Sequence, residues 1–402
     1  MDVASNRIFT KEFWQLALVN LASMLTFYSL MVSIGPFVVD TYHVSTALSG
    51  IVVGVTVIGT LLSRMAAGYL TTIYSPKKLM IVGMLVLVPS LLLYQIEIGV
   101  GFLIAVRFIQ GIAVGLIGTV TNTAVVFVVP KLRRSEGISY FSLSTIVATA
   151  IGPFFALLLT QFVSYSVLFW IEVIIALIGL AVAWSINPTT VTFETKNVSK
   201  EMPSAQKAED RGIRQFLEPR VFGLSALMFV VSFAYASLQS DLDFFAEKIG
   251  IGAFASYFFL VYAGVILLSR PFSGRLMDVK SESYIMYPAL IILAVGMWLI
   301  SGMHSGVMLL IAAIFIGIGF GNFQSTIQAT VAKLVPSHRL GQANSTYFIF
   351  FDAGLGFGPY ILGTLIPILG YRHLFIAMAI LALIGLPFYY LVHGRHIGKS
   401  VY

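Results

Sequence analysis

Long apolar runs separated by short polar gaps make up most of the chain. The runs fall near 12–39, 46–73, 79–96, 99–129, 137–161, 166–187, 219–246, 252–277, 284–303, 306–334, 343–369 and 373–393. Each is near or above the ~20 residues a helix needs to cross a bilayer. The pattern therefore predicts twelve membrane spans. Strands of ~10 residues with alternating polarity, the signature of a membrane barrel, are absent. The N-terminus has no short apolar segment ending in a small-residue cleavage site, so the first run is expected to be retained as a helix.

The runs form two sets. Leu61-Leu62-Ser63-Arg64, Gly68 and Leu70 return as Leu267-Leu268-Ser269-Arg270, Gly274 and Leu276, an offset of 206 residues. The same offset carries Gly111 and Gly115 onto Gly317 and Gly321, Pro130 and Arg133 onto Pro336 and Arg339, and Gly152-Pro153 onto Gly358-Pro359. It also carries Ala176-Leu177-Ile178-Gly179-Leu180 onto Ala382-Leu383-Ile384-Gly385-Leu386. An offset held without insertions means two copies of one unit in the same orientation, six spans each. In an apolar chain this points to a transporter with parallel halves around a central path. The expected division is 1–187 for the first bundle, 188–218 for a linker and 219–402 for the second bundle.

Composition agrees with a membrane setting. Hydrophobic residues are 58 % of the chain and charged residues 10 %, against about a quarter charged in soluble proteins; the mean hydropathy is +0.94. With the N-terminus in the cytoplasm, 19 of the 24 Lys and Arg residues fall in inward loops and tails. Lys248 and Arg372 fall outward, while Arg64, Arg107 and Arg270 lie inside spans. The positive-inside rule then places both termini in the cytoplasm, in a multi-pass protein of the cytoplasmic membrane. The net charge of +7 forms no single face, so it is not a nucleic-acid signal; it fits membrane orientation and attraction to anionic lipid. Cysteine is absent, which removes disulfides and thiolate metal sites. The polar stretch from Asn187 to Glu218 lacks apolar periodicity and reads as a tether, with a short interfacial helix expected near Ile213–Leu217.

The motifs resemble those of the major facilitator superfamily along essentially the whole chain. That family carries a Gly-x-Leu-x-Asp motif after span two. Here the first copy reads Gly68-Tyr69-Leu70-Thr71-Thr72 and lacks the acid, whereas the second reads Gly274-Arg275-Leu276-Met277-Asp278. The resemblance implies a conformational latch that leans on the second copy. Arg107-Phe108-Ile109-Gln110-Gly111 in span four matches an Arg-x-x-Gln-Gly motif that the family's exporters associate with proton coupling. Gly152-Pro153 in span five, with Ala148 and Ala156, is a reduced form of the antiporter motif. Span eleven holds a fuller one in Gly354, Gly358-Pro359 and Gly363. Independently of any family, glycines one turn apart let helices approach closely and Gly-Pro bends a helix, so these positions read first as packing and bending sites.

Ionisable residues inside spans carry the chemical argument, since a charge at the bilayer centre costs at least ~2.5–3.5 kcal/mol. Asp352 lies about ten residues, or ~15 Å, into span eleven; Arg64 and Arg270 lie ~12 Å from the ends of spans two and eight. The resembled fold brings span eleven to span two and keeps it in the same half as span eight. Asp352 is therefore expected to pair with Arg64 or Arg270 in one access state and to lose that partner in the other, which would link its protonation to opening. The alternative is a permanent ion pair, or arginines reaching for the interface. The resembled fold also places spans one, four, seven and ten around the cavity. Of Asp241 and Asp243, two apart near the end of span seven, one faces inward to balance Arg107, bind a cation or accept a proton. Glu172 in span six, at a depth like that of Arg107, reads as a hydrogen-bonded packing residue. Gln110, Gln239, Asn322 and Gln324 are candidate cavity amides, with Asn20 a weaker one, and each can equally be satisfied between helices.

There is no Walker loop, metal-ligand cluster or nucleophile elbow, which sets aside ATP-driven transport and membrane enzymes. Sparse, asymmetric charges on Gly- and Pro-broken helices disfavour a channel. The remaining expectation is a proton-coupled antiporter of lipophilic small molecules, working as a monomer with the proton gradient in place of a cofactor. The rival is a proton-coupled transporter of one polar metabolite such as a sugar or amino acid; a nontransporting receptor is a third class.

Overall fold

The computed structural model describes residues 7–44, 46–160, 162–187 and 212–396, and among them it is helical without strands. Span one is Lys11–Tyr42, span two Thr46–Ile73, span three Pro76–Leu92, span four Val100–Val128, span five Arg134–Thr160 and span six Tyr165–Ser185. Span seven is Phe222–Ser240, followed by a short helix Leu242–Lys248; span eight is Ala253–Val279 and span nine Ser283–Ser301. Span ten is Gly306–Ile316 and Asn322–Lys333, joined by a π-helical turn at Gly317–Gly321.

Spans eleven and twelve form one continuous element, Leu340–Val392, of 53 residues. At 1.5 Å per residue a straight helix of that length would reach ~80 Å, more than twice a bilayer core. It is parted at Gly370, whose φ of 71° and ψ of 162° are non-helical. Positive φ of this kind is open to glycine at no steric cost. Among the described residues, ten helices meet the length and apolarity needed to cross a membrane when Leu340–Val392 is taken as one. Dividing it at Gly370 and adding span eight, whose apolar part is Tyr257–Arg270, gives the twelve expected.

The chain folds as two compact units. One comprises Met1–Leu132, Phe141–Pro219 and Val335–Phe348, the other Arg133–Tyr140, Arg220–Leu334 and Ile349–Tyr402. In the first, span two lies along span four with backbones in contact. A Cβ at Gly115 would stand 2.6 Å from the Thr60 carbonyl oxygen. The neighbouring hydroxyls reinforce this seam: Ser63 donates to the Ile112 carbonyl at 2.6 Å and Thr60 to the Gly111 carbonyl at 3.2 Å. Asn20 ties three spans together, donating to Ser144 and Thr145 in span five at 2.8 and 2.9 Å and accepting from Thr121 in span four at 3.1 Å. Gly152, just before Pro153 in span five, meets the Ser29 backbone of span one, where a Cβ would stand 3.0 Å from the nitrogen.

The second unit repeats the seam with different side chains. Gly111 approaches Thr56 and Gly115 approaches Thr60; Gly317 approaches Tyr262 and Gly321 approaches Ile266. All four pairs are related by the offset seen in the sequence. Gly354 and Gly358, the latter followed by Pro359, seat span eleven on Ser232 and Ala236 of span seven. Span ten carries a third glycine, Gly319, where span four has Ala113. A Cβ at Gly319 would stand 2.6 Å from the Leu293 nitrogen of span nine, so this side of the helix also needs a bare backbone. The π turn falls on these three glycines.

Span seven stops short of the expected 246. Its regular helix ends at Ser240, and Asp241 takes φ −123° and ψ −12° between it and the next short helix. The Ser240 hydroxyl donates to Asp241 Oδ2 at 2.7 Å, a local bond that competes with the helix ladder.

Near the end of the chain, His393 Nε2 donates to Glu282 Oε1 at 2.7 Å. This bond, outside the spans, holds the Glu282 carboxyl below its ordinary range. A lowered folded value gives stability that is present above the unfolded pKa of about 4.3 and lost as pH falls through the folded one. The thermal midpoint of the wild type should thus exceed that of Glu282→Gln at neutral pH, with the gap closing below about pH 4. The glycine seam makes a sharper prediction. Gly115→Leu should lower stability by about 1–3 kcal/mol through overpacking. Gly363→Ala, where a Cβ meets nothing within 4 Å, should be neutral or raise it by up to ~1 kcal/mol. Thermal unfolding in detergent checks both.

Candidate functional site

Two buried arginines of the first unit lie within spans. Arg107 is 0 % exposed and lies about eight residues into span four. Its Nη1 donates to Gln110 Oε1 at 2.9 Å, its Nε to the Val52 carbonyl at 3.3 Å and its Nη2 to the Val53 carbonyl at 3.4 Å. Residues three apart on a helix share a face, which is why Arg107 and Gln110 meet. Tyr94, in the turn after span three, donates its hydroxyl to the same Gln110 oxygen at 2.6 Å. Among the described residues Arg107 is thus hydrogen-bonded to neutral oxygens.

A carboxyl group lies close by. Glu172 on span six is 2 % exposed. Ser29 of span one donates to its Oε1, while Oε2 has no hydrogen-bond partner among the described residues. Glu172 is within electrostatic reach of the Tyr94 hydroxyl, as is Arg107. Phe169, one turn before Glu172, packs its ring on Tyr94 at 5.3 Å and on Phe37 at 5.0 Å. Glu172, read from the sequence as a hydrogen-bonded packing residue, is buried with a hydrogen bond from Ser29 and lies within electrostatic reach of Tyr94. Its depth, like that of Arg107, was the signal available in the sequence.

Arg64 forms the second cluster, also inside the first unit. Its guanidinium stands 4.4 Å from the centroid of the Phe348 ring, a cation–π contact, and its Nη1 donates to Thr119 at 3.4 Å. Ser345 donates to the Arg64 carbonyl oxygen, and Asn344 donates to Thr123 at 3.2 Å. Gly68 leaves room for Ser345, whose Cβ would be 2.9 Å from one added there. Sequence reading did not find Phe348, Asn344 or Ser345, which lack charge.

In the second unit Arg270 is fully buried, Asp241 is buried and Asp352 is half-buried. Asn322 donates to the Ile318 carbonyl at 2.9 Å and shares a contact with Ser269. Gln324 is buried and Gln239 is half-buried. Tyr235 stacks on Phe320 with centroids 3.8 Å apart. The side chains of Asp243 and Asp278 lie outside the described residues, as does the stretch 188–211. No cluster of three or more metal-ligating side chains occurs among the described residues.

Comparison with known proteins supplies the family. The sequence profile of the Major Facilitator Superfamily matches residues 16–359 and 308–400, and the chain belongs to that superfamily. It is 23 % identical over 339 residues to an uncharacterised MFS-type transporter of Methanocaldococcus jannaschii, covering 83 % of this chain and 86 % of that protein. It is 22 % identical over 357 residues to multidrug resistance protein 1 of Bacillus subtilis, covering 87 % and 89 %. The crystal structure of the human organic anion transporter MFSD10 superposes with a TM-score of 0.76 at 14 % identity, covering 94 % of this chain and all of that one. The likeness to that structure is one of fold. The protein is a multi-pass membrane transporter of this superfamily.

The Arg107 network predicts a graded response. Arg107→Lys cannot keep a fork of donors to three oxygens and should cost about 1.5–3 kcal/mol of thermal stability. Tyr94→Phe removes one donor from an oxygen that Arg107 still serves, and should cost about 0.5–1.5 kcal/mol. Equal losses in the two variants would contradict this account.

Proposed function

We propose that the chain is a proton-coupled exporter of lipophilic small molecules, working by alternating access as a monomer in the cytoplasmic membrane with both termini inside. The observation that carries this reading is the enclosure of Glu172 beside the Arg107–Gln110–Tyr94 network. Burying an ionised carboxylate is expensive unless it is paired, so its charge is tied to whether water or a cation reaches it. A transporter that alternately wets and seals such a group can couple proton passage to its own movement. Arg107 holds the network in shape, and Glu172 takes the proton. Asp352 and Asp241 remain the candidates for a second protonation site. The resemblance of the Arg107–Gly111 segment to exporters, and the similarity to a protein named for multidrug resistance, favour outward movement. Many phenylalanine and methionine residues on the spans suit an adaptable, greasy cavity.

A second reading has one observation in its favour. The last helix of span ten buries Asn322, Gln324, Ser325, Thr326, Gln328 and Thr330 together. A helix segment this rich in buried polar side chains would also suit a dedicated site for a polar metabolite.

Uptake of lipophilic cationic dyes into energised inverted vesicles separates the two. Gradient-dependent uptake well above empty-vector vesicles is the expected result, lost when the pH gradient is collapsed. Glu172→Gln should abolish the dependence on the gradient while leaving dye binding within about threefold, and Asp352→Asn reports on the second site by the same assay. Full proton-linked turnover in Glu172→Gln would remove Glu172 from the mechanism. No dye movement with folded protein, together with stabilisation by a sugar or amino acid, would favour the metabolite reading.

A further inference from the structure

The two repeats differ at one arginine, half-buried as Arg133 in the first copy and buried as Arg339 in the second. In the first copy, Arg133 meets Glu136 with both arms of its fork, Nε to Oε2 and Nη2 to Oε1, each at 2.8 Å. The repeat offset carries Arg133 to Arg339 but carries Glu136 to Gln342. The second copy has therefore lost the carboxylate that served its arginine. Gln342 is buried, and its amide oxygen has no hydrogen-bond partner among the described residues.

Arg339 is served from elsewhere in the chain. Its Nε is paired with Glu218, 121 residues earlier, at the end of the stretch that joins the two sets of spans. Its Nη2 donates to the carbonyl oxygens of Arg214 at 2.8 Å and Leu217 at 3.4 Å. Glu218 is 2 % exposed, and its backbone N–H donates to Thr346 on span eleven at 2.9 Å. Between these bonds, the Phe216 ring lies 5.6 Å from Tyr69 of span two. The Phe216 carbonyl closes on Gly68, where a Cβ would stand 2.9 Å from it. The segment thus touches the beginning of span eleven through Arg339 and Thr346, and the end of span two through Gly68 and Tyr69. These are the elements that carry the Arg64–Phe348 and Ser345 contacts.

We propose that residues 214–218 act as a strap that holds the start of span eleven against span two, with Glu218 as a positioning residue supplying the carboxylate missing at Gln342. A buried arginine deprived of a carboxylate that pairs with it is costly, so the strap and the span two–span eleven contact form and part together. Because the strap belongs to the stretch joining the repeats, it links that stretch directly to closure at this end of the spans. The role of the closure in transport rests on the alternating-access reading above, whereas the strap itself does not depend on substrate or proton.

The absence of native cysteine makes a single introduced thiol a clean reporter. Thr123, 1 % exposed and covered by Asn344 of span eleven, is changed to Cys in the full chain, and maleimide labelling is followed in membranes. Glu218→Gln in this background should label at least tenfold faster. Adding Gln342→Glu pairs Arg339 within its own helix without restoring the strap, so labelling should stay at least tenfold faster than in the starting protein. An unchanged rate in Glu218→Gln, or a return to within about threefold in the double variant, overturns the proposal. If Glu218→Gln does not fold, Gln342→Glu alone decides: its carboxylate competes for Arg339, and deuterium uptake over 213–218 should rise severalfold. Unchanged uptake there is equally fatal to the strap. Neither readout uses dye or gradient, so a failed transport assay and a failed strap are told apart.

Discussion

Backbone-to-backbone contact between helices is the constraint on which the rest of this protein depends. Lipid tails are as apolar as leucine, so burying apolar surface gives helices little reason to associate within a bilayer. Close approach supplies what solvent does not, through dispersion contacts and through hydroxyls that reach a neighbouring carbonyl. Gly115 against Thr60 and Gly321 against Ile266 are two forms of one solution. The first adds hydroxyl bonds from Thr60 and Ser63, while the second relies on aliphatic packing. Gly319 shows the cost of asking one helix to meet two neighbours at once, since the π turn sits where the third glycine was added.

With the helices fixed this closely, charges can be enclosed without being neutralised on the spot. Arg107 is surrounded by amide and carbonyl oxygens from spans two and four, and Arg64 by a ring and a hydroxyl. The oxygens around Arg107 orient its guanidinium without supplying a negative charge, so that site stays responsive to an acid or ligand that arrives later. Arg339 is the opposite case. It is matched by a full carboxylate and two carbonyls, an arrangement suited to holding rather than sensing.

Much of the fold was legible in the sequence because the offset between repeats is constant. Once Gly111 maps to Gly317, the partners Thr56 and Tyr262 follow from the same arithmetic. The Gly370 junction was legible only as a short gap between apolar runs, because polarity does not reveal that one left-handed residue suffices. The break at Asp241 escaped because hydropathy averages over Ser240, whose local bond to Asp241 matters more than its polarity. Of the site, Arg107 with Gln110 could be read from helical spacing. Glu172 could not be ranked, since its importance lies in Tyr94 and Ser29, which come from other spans. Arg339 with Glu218 was hidden by its separation in the chain, although the change from Glu136 to Gln342 was visible as a loss needing compensation.

The turn at Gly370 has a practical consequence for anyone mapping how this chain threads the membrane. Spans eleven and twelve are joined by a single residue, so no hydrophilic loop exists there to carry a reporter domain clear of lipid. An enzyme fused at that point, or an epitope inserted into it, would force helical residues out of the bilayer and report its own disturbance. Side-specific chemistry on one small residue introduced near the turn would leave the junction intact.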